Sequence, residues 1–453
     1  MVFRQNRNKI IAEKFCNKKN ANYICVIKKD LSLLTGLNSF NGYAINKRLN
    51  QASRGKDNKN MKLSIGKTAT GEDFFLRNDV IEEIYEALSE GNNLLLSAPR
   101  RVGKTSIIHY IKDNPTDEYY CVYVDTEDVT DSQTFFKVLL KAIFDIENKS
   151  HYLKGLEKAG KKIKGFLGNI DTIDFGGIFS IDFNDKQNEA TDYYEKFKDF
   201  LEKVDLDNRK ILLMIDEFPV TIEHIKNEQG EQAARNFLKQ NRAIRQNDKY
   251  SEKIKFIYTG SIGLLSVVKK LNATADINDI LSYKLRPLAL EDALLLAQTL
   301  LKTYQIEAEE QILKYLLQQK IEWLIPFHIQ LSIKEIRDLY RIEAKEVNKT
   351  FIDKAFHELI LNGSIYLDHY RGRLSQVFNR DELTLVHAIL KKLTENELVT
   401  ELELYDLAVK YHLENSFKNI LLTLEYDGYI VEVTDKKWRF YSPILKKWWS
   451  KNV

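Results

Sequence analysis

Lys104, Thr105, Asp216 and Glu217 are the residues whose types and spacing could do chemistry. Gly103-Lys104-Thr105 puts an ammonium and a hydroxyl side by side. The ammonium can neutralise phosphate oxygens, and the hydroxyl can ligate Mg²⁺. The adjacent acids Asp216-Glu217 divide two further tasks. One carboxylate holds the metal, directly or through water, and the other takes a proton from an attacking water as general base. A cation, a metal ligand and a base are together the parts of triphosphate hydrolysis.

These side chains need particular elements to position them. Leu94 to Leu96 is an apolar run that reads as a buried strand. A loop follows, Ala98-Pro99-Arg100-Arg101-Val102-Gly103-Lys104-Thr105-Ser106, and opens a helix whose apolar positions are Ile107, Ile108 and Ile111. Strand, loop and helix in that order aim backbone N–H groups and the positive helix end at phosphate. Ala98 stands where the motif has its first glycine. A Cβ restricts φ > 0, so the turn is expected to be reshaped there. Ile211 to Ile215 reads as a second buried strand, which delivers Asp216 and Glu217 to the carboxyl edge of a sheet.

Other candidates follow from the same pattern. Asp125 also ends an apolar strand, Tyr119 to Val124, and ranks second for the metal because Thr126 rather than an acid follows it. Thr259 and Ser261 close the next strand, Ile254 to Thr259, and are candidate sensors of the γ-phosphate through a hydroxyl. Arg242 and Arg245, one turn apart on the helix Gln232 to Gln246, are candidate arginine fingers, as are Arg100 and Arg101 in the loop. The eight histidines form no ligand spacing.

The 453 residues allow two to four domains. Net charge is +3, but residues 1–60 carry nine Lys and four Arg against three acids, a balance of +10. Taking +10 from +3 leaves −7 for the remainder, an ordinary soluble surface. Residues 1–60 are expected to be a basic extension without a fixed fold. Three cysteines make no disulfide framework, and no apolar run reaches the length of a membrane span. A cytoplasmic protein with no membrane contact is the expectation. Strands alternate with helices from 61 to 286, with a hairpin expected in Ile170 to Phe183, so an α/β domain with a mostly parallel sheet is expected there. Residues 287–375 turn helical, and 376–453 read as three helices and a terminal hairpin, a winged helix-turn-helix.

The chain resembles the archaeal-type ATPases, relatives of the AAA+ and STAND ATPases. The resemblance rests on Ala98 to Ser106, on Ile215-Asp216-Glu217-Phe218 and on Tyr258 to Leu264. Gly71 to Arg77, Leu285 to Leu288 and Ile325 to Gln330 agree with it as the opening segment, the step into the lid and a proline-bearing lid segment. Ala98 departs from the family pattern. So does Ala289, where Ser or Thr would complete a capping box with Asp292.

The resemblance implies a P-loop NTPase fold with sheet order 5-1-4-3-2, a helical lid and a C-terminal winged helix. It also implies ATP. The expected function is a Mg²⁺-dependent ATPase that acts as a nucleotide-driven switch, with a protein partner and a homo-oligomer in view. Two alternatives stand beside it. One is a signalling or scaffold module that holds nucleotide without useful turnover. The other is a DNA-binding regulator using the winged helix and the basic arm. DNA is not favoured, because the third helix, Ser416 to Tyr426, has one lysine, one asparagine and no arginine for groove reading. Lys436, Lys437, Arg439, Lys446, Lys447 and Lys451, interleaved with Trp438, Trp448 and Trp449, could grip phosphates or pack on the body.

Overall fold

The computed structural model describes residues 61–144, 172–174, 180–182, 191–204, 206, 208–260 and 263–453. The basic extension 1–60, Ser261 and most of the segment between Phe144 and Thr191 lie outside the described residues. Within that segment, Thr172–Asp174 and Ser180–Asp182 pair antiparallel, as the hairpin expected there requires.

Five strands make the central sheet: β1 (Asn93–Ser97), β2 (Tyr119–Asp125), β3 (Lys210–Asp216), β4 (Ile254–Tyr258) and β5 (Ile280–Lys284). All neighbouring pairs are parallel, in spatial order β2-β3-β4-β1-β5. Counted along the chain from the other edge, this is 5-1-4-3-2. Strands β3 and β4 are buried almost throughout, which is why their sequences are continuous apolar runs rather than alternating ones. The register pairs Asp125 with Asp216 at the carboxyl ends of β2 and β3.

Helices α1 (Asn78–Ser89), α2 (Lys104–Asp113), α3 (Ser132–Ile143), α4 (Tyr193–Lys203), α5 (Phe218–Gln229), α6 (Glu231–Gln246) and α7 (Leu264–Lys270) accompany the sheet. The core has an aromatic centre. Phe135 meets Phe237 edge to face at 4.8 Å, and Phe218 lies 4.5 Å from Tyr258. All four side chains are inaccessible to solvent. Because Phe218 directly follows Glu217, its burial anchors the site-bearing turn.

The next layer is helical: α8 (Leu290–Thr303), α9 (Pro326–Glu343), α10 (Lys349–Asn362) and α11 (Ser364–Val377). Ala289 is the N-cap residue of α8 and makes no side-chain cap bond. The boundary expected at 375 falls inside α11, which runs on to Val377.

The C-terminal module comprises α12 (Arg380–Glu395), β6 (Val399–Thr400), α13 (Glu401–Lys410), α14 (Glu414–Tyr426), β7 (Ile430–Glu432) and β8 (Lys437–Phe440). Its sheet order is β6-β8-β7, antiparallel, so the expected hairpin gains a third strand. A further helix, α15 (Pro443–Asn452), had no counterpart in the sequence reading. Ser442 caps it, Pro443 starts it, and Ile444, Leu445, Trp448 and Trp449 are buried. The tryptophans therefore pack on the body.

Phe237→Ala empties part of the aromatic centre away from the site. It is expected to lower the unfolding free energy by about 3–5 kcal/mol, read by urea denaturation.

Candidate nucleotide site

The loop between β1 and α2 owes its shape to two left-handed residues. Arg101 has φ 68° and Gly103 has φ 107°. Gly103 needs its missing Cβ for that backbone, whereas Arg101 holds a conformation that costs a non-glycine residue free energy. Ala98 is not among the left-handed residues, so alanine imposes no strain at the first motif position. The reshaping expected there is not required. Ala98 and Val102 are buried beneath the loop, while Arg100, Arg101, Gly103, Lys104, Thr105 and Ser106 line a cavity of about 330 Å³.

The same cavity reaches Asp216 and Glu217, 112 and 113 positions later in the chain by their numbers. Asp216 is the hub. Its Oδ2 accepts from Thr105 Oγ1 at 2.9 Å, and its Oδ1 accepts from Thr259 Oγ1 at 2.9 Å and from the Glu217 amide at 3.1 Å. The ends of β3, β4 and α2 are thus tied to one carboxylate. Glu217 has φ 56° and ψ 26°, a left-handed non-glycine residue at the start of α5. Strain of this kind concentrates where a side chain is aimed for function.

Lys104 is buried, and its Nζ donates to the carbonyls of Ala98 at 2.7 Å and Pro99 at 3.2 Å. Burial pushes its ammonium down to about 8, against the opposing pull of Glu217, Asp216 and Asp427. Tyr123 stands beside Asp216, and burial holds its phenol well above the ordinary value.

Several candidates fall elsewhere. Asp125 is exposed and accepts from the Glu127 amide at 3.0 Å, away from the cavity. Thr259 is fully buried under Asp216 and positions that carboxylate rather than facing the cavity. The arginine-finger expectation is corrected for Arg245. Its side chain is committed to Asp279 at 2.7 and 2.9 Å, to the Asp276 carbonyl at 2.7 Å and to Tyr258. Arg242 lies 3.7 Å from the Asp276 carboxylate, also outside the cavity. Helical spacing found both arginines but could not show that a segment 34 residues onward supplies their anions.

The sequence reading also missed part of the wall. Ser64 and Lys67 line the cavity from a segment held by Ser64 N donating to Gln330 Oε1 at 2.6 Å. Phe327 of α9 completes the lid side, with the Arg101 guanidinium 4.9 Å from its ring centre. The change in composition at Met61, whose side chain is buried, was the available signal for the first of these.

No protein-family profile matches the chain. No curated protein matches it by sequence. Among solved structures it is similar to the Walker-type ATPase PABY2304 of Pyrococcus abyssi, with a TM-score of 0.56 and 16% identity, over 84% of this chain and 97% of that one. It also matches the Aeropyrum pernix ORC2 protein, at TM-score 0.49 and 11% identity over 83% of this chain and 93% of that one. The chain has the fold of an archaeal Walker-type ATPase.

At that level the resemblance read from Ala98 to Ser106 and Ile215 to Phe218 is borne out. For a Walker-type fold the residues present suit ATP with Mg²⁺. Backbone at Arg101 and Gly103 turns toward a cavity that a buried ammonium and two carboxylates share. Thr105 Oγ1 and Asp216 Oδ2 are adjacent hard oxygen donors. Among the described residues, no cluster of three or more His, Cys, Asp or Glu side chains would hold a metal by itself. Phosphate oxygens would have to complete the coordination, as Mg²⁺ sites of this kind use them.

Arg245→Ala is expected to cost about 3 kcal/mol of stability by stranding the half-buried Asp279 carboxylate and the Asp276 carbonyl, with nucleotide affinity unchanged in the folded protein. A thermal melt and a fluorescent-nucleotide titration read the two arms. Lys104 sets a pH dependence. Below its value of about 8 the Lys104 side chain is a cation, and above it the ammonium loses its proton. Nucleotide affinity is therefore expected to be highest below pH 8 and to fall above it, measured by calorimetry across that range.

Proposed function

We propose that this chain binds ATP with Mg²⁺, hydrolyses it, and uses the nucleotide state as a switch of the AAA+/STAND type. The observation that carries the reading is a shared cavity. Lys104, Thr105, Asp216 and Glu217, brought from two separate strand ends, all face it. Lys104 and the loop amides grip the phosphates, with Arg100, Arg101 and Ser106 at the cavity wall. Asp216 and Thr105 are the residues that would hold Mg²⁺. Mg²⁺, when bound, neutralises phosphate charge as the leaving group departs. Glu217 orients the attacking water and accepts its proton, and the left-handed turn at Glu217 fixes where that carboxylate points.

The C-terminal module, read as a winged helix, serves intramolecular or protein contact in this proposal. Asn419, Leu422 and Thr423 of α14 face a second cavity of about 260 Å³ that backs onto the phosphate loop at Ser97, Ala98 and Pro99. A groove-reading helix would have to leave that position. Three of the six basic residues are also engaged. Arg439 pairs with Glu322 at 3.1 Å, Lys446 with Glu397 at 3.0 Å, and Lys447 lies over the Phe356 ring. Among the described residues no helix is long and apolar enough to cross a membrane.

Lys104→Ala is expected to abolish nucleotide binding. Glu217→Gln should bind normally while turnover falls by about 10²–10⁴-fold. Steady-state phosphate release checks the second variant, and full activity there would remove Glu217 as the base.

A further inference from the structure

The turn that ends α14 is plugged into the outer side of the phosphate loop through three consecutive residues. The Tyr426 ring sits 3.4 Å from the point where a Cβ on Gly263 would lie, and Tyr426 shares a cavity wall with Ser97 at the end of β1. Gly428, at φ +80°, rests on the loop itself. A Cβ there would come within 2.8 Å of both the Pro99 Cβ and the Trp323 ring. Only a residue without a side chain can adopt that backbone in that gap.

Between them, Asp427 is a buried carboxylate, 3% exposed. Its nearest cation is Arg373 of α11, at 3.5 Å. That pair is loose, because Arg373 Nε and Nη2 make no hydrogen bond. The charges facing Asp427 from the loop are Arg100 and Lys104, and Tyr370 and Tyr429 complete its surroundings. Lys104 itself points back toward the Ala98 and Pro99 carbonyls, and Pro99 is the residue on which Gly428 rests. The cation needed for phosphate is therefore within the field of an anion from the C-terminal module.

We propose that Tyr426-Asp427-Gly428 is an autoinhibitory turn whose carboxylate competes with nucleotide phosphate for Lys104 and Arg100. Docking of the C-terminal module and nucleotide binding are then antagonistic. By linkage, whatever factor nucleotide applies against docking, undocking returns in nucleotide affinity. The proposal rests on reading the cavity as the ATP site. It goes beyond that reading by naming what opposes the ligand and how the signal leaves the site. Burial raises the Asp427 carboxyl to about 6, with Arg373, Arg100 and Lys104 holding it down against that effect. It is thus charged and repulsive at pH 7.5, and largely neutral at pH 5.

The test is titration of the full chain with a fluorescent ADP analogue at pH 7.5, with amide hydrogen exchange over 424–431 as a second readout. Asp427→Asn is expected to bind about tenfold tighter than the wild type, within the usual range of coupling between sites. That advantage should shrink as pH falls below 6. Gly428→Ala keeps every charge but displaces the turn, and is expected to bind tighter as well, so it decides the matter if Asp427→Asn does not fold. Saturating nucleotide should speed exchange in the turn of the wild type. Wild-type affinity in a folded variant, or exchange in the turn unmoved by nucleotide, overturns the autoinhibitory turn while leaving the ATP reading intact. Failure of the wild type itself to bind more tightly than Lys104→Ala overturns both.

Discussion

A lysine ammonium buried in the middle of the molecule is the constraint on which the rest of this structure depends. Burial pushes the Lys104 ammonium down to about 8 even with its anionic neighbours in place. Three carboxylates raise it again: Glu217, Asp216 and Asp427. They come from one strand end and from a turn more than two hundred residues downstream. A buried cation of this kind has value only when an anion arrives, because charge in a low-dielectric site is costly until it is paired. The carbonyls of Ala98 and Pro99 hold the ammonium meanwhile.

Asp216 plays the complementary part. One carboxylate receives a hydroxyl from α2, a hydroxyl from the end of β4 and the amide of Glu217. It ties together three elements that come from separate parts of the chain. The parallel register makes this possible, since every strand end reaches the same edge. Thr259, whose position suggested a phosphate sensor, is instead a support for that carboxylate. Its hydroxyl links the end of β4 to the carboxylate at the cavity wall.

The C-terminal module shows why a motif's usual surface need not be its working surface. Its third helix carries few groups suited to a DNA groove, and the turn that ends it is buried against the phosphate loop. The tryptophans that interleave the basic cluster are buried, and the arginine and two of the lysines between them have acidic or aromatic partners. Packing accounts for the tryptophans, and contacts within the chain account for three of the six basic side chains.

The sequence by itself determined the chemistry and the frame. Ala98 to Ser106 and Asp216-Glu217 were legible because a backbone cradle and a strand-end acid pair are local patterns, readable from spacing and apolar runs alone. The central strands were legible for the same reason, since burial on both faces leaves continuous runs such as Ile211 to Ile215. Tertiary structure alone decided which arginines are free, whether Ala98 strains its turn, and what closes the cavity. Arg245 looked available because the distant Asp279 that claims it leaves no mark on helical spacing. Asp427 and Gly428 looked like an ordinary turn, because the loop they press against lies more than three hundred residues earlier. Contacts between elements so far apart in the chain are set by how the layers stack, and no local period records that stacking.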